Sequence, residues 1–418
     1  MPTTHPLPGR RRAAVIFIFI TILLDMLALG MVIPVLPALI RDFSGGDTVL
    51  AANSLGLFNT LWAAMQFFAS PIAGALSDRF GRRPIVLLSN LGLGADYIFM
   101  ALSPTLAWLL VGRVISGITS ETVPTGYAYI SDITPHEKRA KAFGLMGAAF
   151  GIGFVVGPAI GGILGHYGPR LPFWVAGGFS LANFVYGLII LPESLPPDRR
   201  GAFSLKRANP IGSVALLRSD GRLLWFGAMH FLYYLAHASL PSVFVLYAGY
   251  RYGWDTQQVG YVLAAVGVMF AIVQGGLVGP IVGAIGERRA LMLGLLSGAA
   301  GFTVYGLAPV GGWFLAGLPI MGFWGLYGPS SQSLMTKRVG PTHQGQLQGA
   351  LGSIVGVANI VAPTIFSAVF AAALSTFRTW RLPGAPFLLS AAFLLLAMVL
   401  GLKATAVESG APQGESGF

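Results

Sequence analysis

Apolar residues run along this chain in stretches of about twenty or more, broken by short clusters of charge, proline and glycine. A helix needs about 20 apolar residues to cross a bilayer, because every backbone group in lipid must be satisfied within its own segment. The pattern predicts twelve spanning helices, at 13–39, 50–76, 84–104, 106–129, 139–165, 172–192, 222–248, 257–285, 290–308, 312–335, 345–372 and 384–402. The first follows the segment MPTTHPLPGRRR. Its apolar run is too long for a signal-peptide core and no A-x-A-like cleavage site follows it, so it reads as a spanning helix. One connection is long. It covers 193–221, is polar and proline-containing, and carries Asp198, Arg199, Arg200, Lys206, Arg207 and Arg218. The expected organisation is an all-α membrane protein: a six-helix bundle over 1–192, a cytoplasmic linker over 193–221 and a second six-helix bundle over 222–418.

Composition agrees with that class: 55% of residues are hydrophobic and 10% charged, where soluble domains carry about 25%. There is no cysteine, which excludes disulfides and thiolate metal sites. The net charge of +11 could suggest a nucleic-acid partner, but its distribution gives another reason. With the N-terminus in the cytoplasm, 20 of the 26 Lys and Arg fall on the cytoplasmic side, five opposite (Arg41, Arg170, Arg251, Arg378 and Arg381), and Arg113 inside a helix. By the positive-inside rule this predicts both termini in the cytoplasm, so the basic excess reads as topology and no nucleic-acid partner is expected.

The two halves align at an offset of 205 residues. Gly74, Gly81, Gly112 and Gly117 fall on Gly279, Gly286, Gly317 and Gly322. Gly144, Gly147, Gly151 and Pro158 fall on Gly349, Gly352, Gly356 and Pro363. Eight matches at one offset, on corresponding helices, mark an internal repeat of six helices.

The connection between helices two and three reads Gly74-Ala-Leu-Ser-Asp78-Arg79-Phe-Gly81-Arg82-Arg83. Its glycines permit a tight reversal, and Asp78 can pair with neighbouring arginines to latch one state and release in another. The same residues would also suit a plain positive-inside loop. In the second half Gly283 stands at the Asp78 position, followed by Glu287-Arg288-Arg289. Helix five contains Gly147-Ala-Ala-Phe-Gly151-Ile-Gly153-Phe-Val-Val-Gly157-Pro158-Ala-Ile-Gly161. Glycines four apart line one helix face, suited to close packing or a bend at Gly157-Pro158. The loop resembles the major facilitator motif G-x-L-x-D-R-x-G-R-R, and helix five resembles the motif that marks proton-driven antiporters of that superfamily. With Asp25, Gly30 and Pro34 in helix one, Arg113 in helix four, Asp132 and Arg139 after it, and Gln344-Gly345-Gln346 opening helix eleven, the chain resembles the tetracycline/proton antiporters of the drug-efflux branch over nearly its whole length. The resemblance implies a substrate site near the midplane, between two bundles that rock in alternating access. Those antiporters carry an acid in helix nine and a His in helix eight. Here Ser297 and Met269 stand near those positions.

Ionisable groups inside a bilayer cost about 2.5–3.5 kcal/mol and are functional candidates by default. They are Asp25, Asp96, Arg113 and Glu121, all in the first half. Asp25 and Asp96 are the expected proton sites, with Arg113 opposite Asp25. Glu121 lies outside the recognised pattern and could be a second proton site, a specificity residue or a structural hydrogen-bond partner. In the second half His230 and His237, seven residues apart on one helix face, read as a polar cavity wall. Further candidates for the cavity are Asn59, Gln66, Gln274, Gln332 and Asn359, with Tyr234, Phe323, Trp324 and Tyr327 as aromatic walls; apolar walls with few polar groups suit an amphiphilic ligand.

The expected function is proton-coupled efflux of a small amphiphilic compound, tetracycline-like or multidrug, with no cofactor beyond protons as the coupling ion. Export of a native metabolite or lipid-like compound on the same fold is the other reading these residues allow. No catalytic constellation is present, so an enzyme is not expected. A monomer in the bacterial inner membrane is.

Overall fold

A computed structural model describes residues 8–201, 216–217, 221–339 and 344–405. Twelve helical rods follow one another. In the first half they are α1 (Pro8–Val32, continued by Leu36–Phe43), α2 (Thr48–Phe80), α3 (Arg82–Leu102), α4 (Leu106–Thr119 and Thr122–Ile133), α5 (His136–Tyr167) and α6 (Leu171–Ile190). In the second they are α7 (Gly221–His237 and Ser239–Tyr252), α8 (Thr256–Ile285), α9 (Glu287–Leu307), α10 (311–336, in several short pieces), α11 (Gln344–Leu374) and α12 (Ala385–Ala404). Ten of them are long and apolar enough to cross a membrane, and α2 and the segmented α10 complete the twelve. Most of the expected linker, with Lys206, Arg207 and Arg218, lies outside the described residues.

Local chemistry sets the helix ends. Asp47 caps α2 by accepting from the Val49 and Leu50 amides at 2.8 and 3.1 Å. Asp255 and Gln258 form a reciprocal capping box at the start of α8. Gly81 ends α2 and starts α3 with φ 105° and ψ 164°, and Gly286, its repeat partner, does the same between α8 and α9 with φ 80° and ψ 159°. Only glycine adopts that backbone without strain, so the repeat seen in sequence extends to backbone torsions.

Beside α1, which turns at Ile33–Val35 before Leu36, four rods are not continuous α-helix, which the apolar pattern did not foretell. Helix α4 breaks at Ser120 and Glu121, α7 at Ala238, α8 passes through a π-turn at Val273–Leu277, and α10 through a 3₁₀ turn at Phe323–Leu326. Such irregular backbone is tolerated at membrane depth only where it is buried in protein or lines a water-filled cavity.

The two bundles meet through α2 with α11 and α5 with α8. Thr60 of α2 donates to the Ile360 carbonyl at 3.0 Å, and a Cβ at Gly56 would sit 2.8 Å from Ser367. On α5, one face presents Val155, Pro158, Gly162 and Gly165, and these pack against Gly267, Gly260 and Thr256 of α8. The same face continues through Gly151, Gly147 and Gly144, where nothing lies within 4 Å. The facing stretch of α8 is equally open at Gly275, Gly279 and Gly283, as is α11 at Gly352. The bundles are therefore sealed at the end away from the Gly81 and Gly286 turns and splayed at the end that carries them.

Candidate functional site

Asp25 of α1 and Asp96 of α3 are buried inside the first bundle. Asn183 of α6 donates to Asp25 at 3.4 Å and to the Thr21 carbonyl at 3.3 Å, and accepts from the Thr21 hydroxyl at 3.1 Å. Thr122 of α4 also reaches the Asp25 carboxyl group, and its hydroxyl lies 3.1 Å from Asn90 Oδ1 of α3. The Asp96 carboxylate turns to α4, near enough to Gly112 that a Cβ there would lie 3.0 Å from Oδ1. Its oxygens are buried and make no close hydrogen bond, with the Ser116 hydroxyl of α4 as the neighbouring donor, and Arg113 Nε is buried without a partner. Asp96 and Arg113 are nevertheless each other's charged neighbours, and the Arg113 guanidinium lies 5.3 Å from the Trp62 ring centre. The phenol of Tyr97 feels Asp25, Asp96 and Arg113 together. The charged neighbour of Arg113 is therefore Asp96 and not the expected Asp25, because α3 crosses α4 at Gly112. Thr21, Asn90, Tyr97, Thr122 and Asn183 join this cluster without having been singled out, though Asn90 and Asn183 are visible as amides in apolar spans. Glu121 stands apart, with Ser70 of α2 as its side-chain hydrogen-bond partner.

In the second bundle the breaks in α7 and α10 bring His230, Tyr234, His237, Trp324 and Tyr327 together with Tyr233. Tyr233 stacks on Tyr327 with centroids 3.5 Å apart, Trp324 lies 5.1 Å from both Tyr233 and His237, and His230 Nδ1 is 3.1 Å from the Tyr327 hydroxyl. Tyr327 is fully enclosed, whereas Tyr234 is half-buried and His237 exposed. Phe323 instead packs with Val273, Val278 and Leu326, and Gln274 donates to the Gly325 carbonyl at 3.3 Å, which ties the α8 π-turn to α10. Asn59, Gln66 and Gln332 are half-buried and Asn359 exposed.

At the splayed end, Arg82 is the hub of the α2–α3 turn. It pairs with Asp78 at 2.6 Å and with Asp132, at the end of α4, at 3.0 Å. Its amide donates to Glu193 after α6 at 2.8 Å, and a Cβ on Gly81 would overlap that carboxylate. Arg83 donates to the Leu188 carbonyl at 2.9 Å, the Gly201 amide to the Asp78 carbonyl at 3.1 Å, and Arg79 lies over Phe80. Gly74 borders open space. None of these partners belongs to the second bundle; Glu193 and Gly201 lie at the start of the linker, and Glu193 was not anticipated. On α5, Gly153, Gly157 and Gly161 all turn to α1: a Cβ at Gly157 would lie 2.8 Å from the Gly30 Cα, and Gly30 in turn faces Pro158.

The model of the Major Facilitator Superfamily matches residues 18–363, with a second match over 229–417. The chain belongs to that superfamily. The class C tetracycline resistance protein of Escherichia coli is 36% identical over 365 residues, 87% of this chain and 91% of that one. The class G protein of Vibrio anguillarum is 34% identical over 372 residues, 88% of this chain and 93% of that one. The crystal structure of the human organic anion transporter MFSD10 superposes with a TM-score of 0.69 at 24% identity, covering 95% of this chain and all of the other.

As a superfamily member the chain is a multi-pass membrane transporter for small molecules, similar to the two resistance proteins and the transporter just named. Where the tetracycline pattern has its helix-eight His and helix-nine acid, Met269 packs against Gly322 of α10 and Ser297 is half-buried on α9. The second bundle thus offers aromatic rings and two imidazoles, and the buried carboxylates lie in the first.

Proposed function

We propose that this transporter exports a small amphiphilic compound, tetracycline-like or of multidrug type, in exchange for protons by alternating access. The observation that carries the reading is Asp96: its carboxyl is buried with no close hydrogen bond beyond the neighbouring Ser116 hydroxyl, beside an arginine that closes no ion pair with it. A carboxylate in that setting is costly to keep charged, and proton binding removes the charge. Gain and loss of that proton would change the attraction between α3 and Arg113 of α4, while Asp25, tied to α6 by Asn183 and to α4 by Thr122, senses the same shift. Close contact of α5 with the α1 backbone, Gly157 on Gly30, Gly153 on Leu23 and Leu27 and Gly161 on Met31, leaves few side-chain obstacles to relative motion.

In this reading the protein is a monomer of the bacterial inner membrane, and the positive-inside rule supports both termini and the Gly81 and Gly286 turns on its cytoplasmic side. The splayed bundles then form an inward-open cleft. In it Tyr234 and His237 are the accessible members of the aromatic cluster and the first candidates for substrate contact. The apolar environment of Met269 favours a second reading, export of a native metabolite or lipid-like compound on the same fold.

The test uses proteoliposomes with an acidic lumen and a panel of tetracyclines, dyes and quinolones. Accumulation of at least one of them that collapses with the pH gradient supports the drug reading. Gradient-independent behaviour of the entire panel overturns it and leaves the metabolite reading.

A further inference from the structure

Glu121 has a setting unlike that of Asp25 and Asp96. It sits at the break in α4, and the break is a fixed feature: the Ser89 hydroxyl of α3 accepts from the Glu121 amide at 2.8 Å and donates to the Thr119 carbonyl. The side chain is 3% exposed, and Oε1 is buried with no hydrogen-bond partner. No described cation pairs with it. The carboxylate borders a cavity of about 130 Å³ whose walls include Ala73, Leu76, Ile85, Leu88 and Ile118.

That cavity opens sideways. Leu88 is 62% and Ile118 50% exposed. Leu88 continues an exposed apolar stripe on α3 through Leu91 to Leu102, and Ile118 one on α4 through Trp108 and Val111. Contact between Phe99 and Trp108 joins the two stripes into one surface. Helix α3 packs on α6, α4 and α2, all of its own bundle, so this surface faces hydrocarbon and not the second bundle.

A buried carboxyl at the back of a mostly apolar, bilayer-open cavity holds its charge only beside a cation, and it has nothing to offer an anion or a purely apolar chain. An ammonium group satisfies it, by charge and by N–H donation to Oε1. The volume matches a small headgroup and its first carbons, with the rest of the molecule left in the bilayer. We propose that the α2–α3–α4 cavity is a lateral binding site for the protonated primary or secondary amine end of an amphiphile, with Glu121, itself hydrogen-bonded by Ser70, as its counter-ion. The amine could belong to an aminophospholipid or to a diffusible amphiphilic amine. The inference is independent of what drives transport.

The test reconstitutes the full chain in phosphatidylcholine nanodiscs with a long-chain primary alkylamine that carries a diazirine next to nitrogen, and maps the crosslinks by mass spectrometry. Labelling is expected on the 85–121 segment, and about tenfold less in Glu121→Gln. Leu88→Trp, a change on the lipid-facing stripe that fills the cavity mouth and leaves Glu121 intact, should lose labelling too while the protein stays monodisperse. A trimethylammonium analogue, which lacks N–H donors, should label weakly. Competition by added phosphatidylethanolamine assigns the site to a lipid headgroup; competition by free alkylamine alone assigns it to a diffusible amine. Equal labelling of wild type, Glu121→Gln and Leu88→Trp, or equal labelling by the trimethylammonium analogue, overturns the proposal.

Discussion

Glu287 and Lys337 form an ion pair at 2.6 Å, and they occupy the repeat positions of Arg82 and Asp132, which pair at 3.0 Å with the charges exchanged. Each pair joins the start of the third helix of its bundle to the end of the fourth, at the splayed end of the cleft. The repeat has kept the contact and inverted its sign.

This relationship predicts a swap experiment. Lys337→Glu should impair transport through repulsion with Glu287, and adding Glu287→Lys should restore it. Lys337 is 63% exposed, so Lys337→Ala should cost no more than about 1 kcal/mol of stability and the cost should fade at high salt. Thermal unfolding across a salt series, with transport assays of the single and double variants, checks both. Failure of the double variant to recover would mean that the pair is not an interchangeable latch.

Helix α5 predicts a sharp positional contrast. Gly157→Val should lose about 1–3 kcal/mol or more, since its Cβ meets the Gly30 backbone. Gly147→Val, ten residues earlier on the open face, should be near neutral in stability. Unfolding midpoints in detergent measure the difference, and equal effects would contradict the close α1–α5 packing.

The splayed conformation predicts asymmetric labelling. The chain has no cysteine, so single replacements report directly. Gly147→Cys and Gly279→Cys should react quickly with an impermeant maleimide applied from the side of the Gly81 turn. Ser367→Cys, at the sealed α2–α11 seam, should react slowly from either side. A reversed pattern would contradict the conformation, its assigned orientation or both.

The aromatic cluster predicts a graded series. Tyr327→Phe removes one hydrogen bond to His230, worth about 1 kcal/mol, and keeps the stack on Tyr233. His237→Ala removes an accessible side chain. Substrate affinity measured by intrinsic tryptophan fluorescence should fall less for Tyr327→Phe than for His237→Ala.

Much of this architecture is legible in the residues. Long apolar runs mark the spans because lipid leaves the backbone no other partner, and Gly81 and Gly286 mark the turns because only glycine fits their torsions. The helix breaks are less legible. Ser120 and Glu121 break α4 because Ser89, from another helix, takes over the freed backbone groups, and that contact is tertiary. The same limit applies to Arg113, whose neighbour depends on where α3 crosses α4, and to Phe323 and Gln274, which a 3₁₀ turn and a π-turn draw into α8–α10 packing. Glu193 lies outside every span, so charge at membrane depth did not single it out.

The central claim is that carboxylates sealed in the first bundle carry the proton. Its most direct test is accumulation of a transported drug in acid-lumen proteoliposomes by wild type and Asp96→Asn, together with substrate counterflow without a gradient. Asparagine keeps the shape of the side chain and can still accept from Ser116, so Asp96→Asn should fold as well as wild type. Gradient-driven accumulation should drop about a hundredfold, the equivalent of an intramembrane charge, while counterflow persists. Wild-type accumulation by both Asp96→Asn and Asp25→Asn would contradict the account.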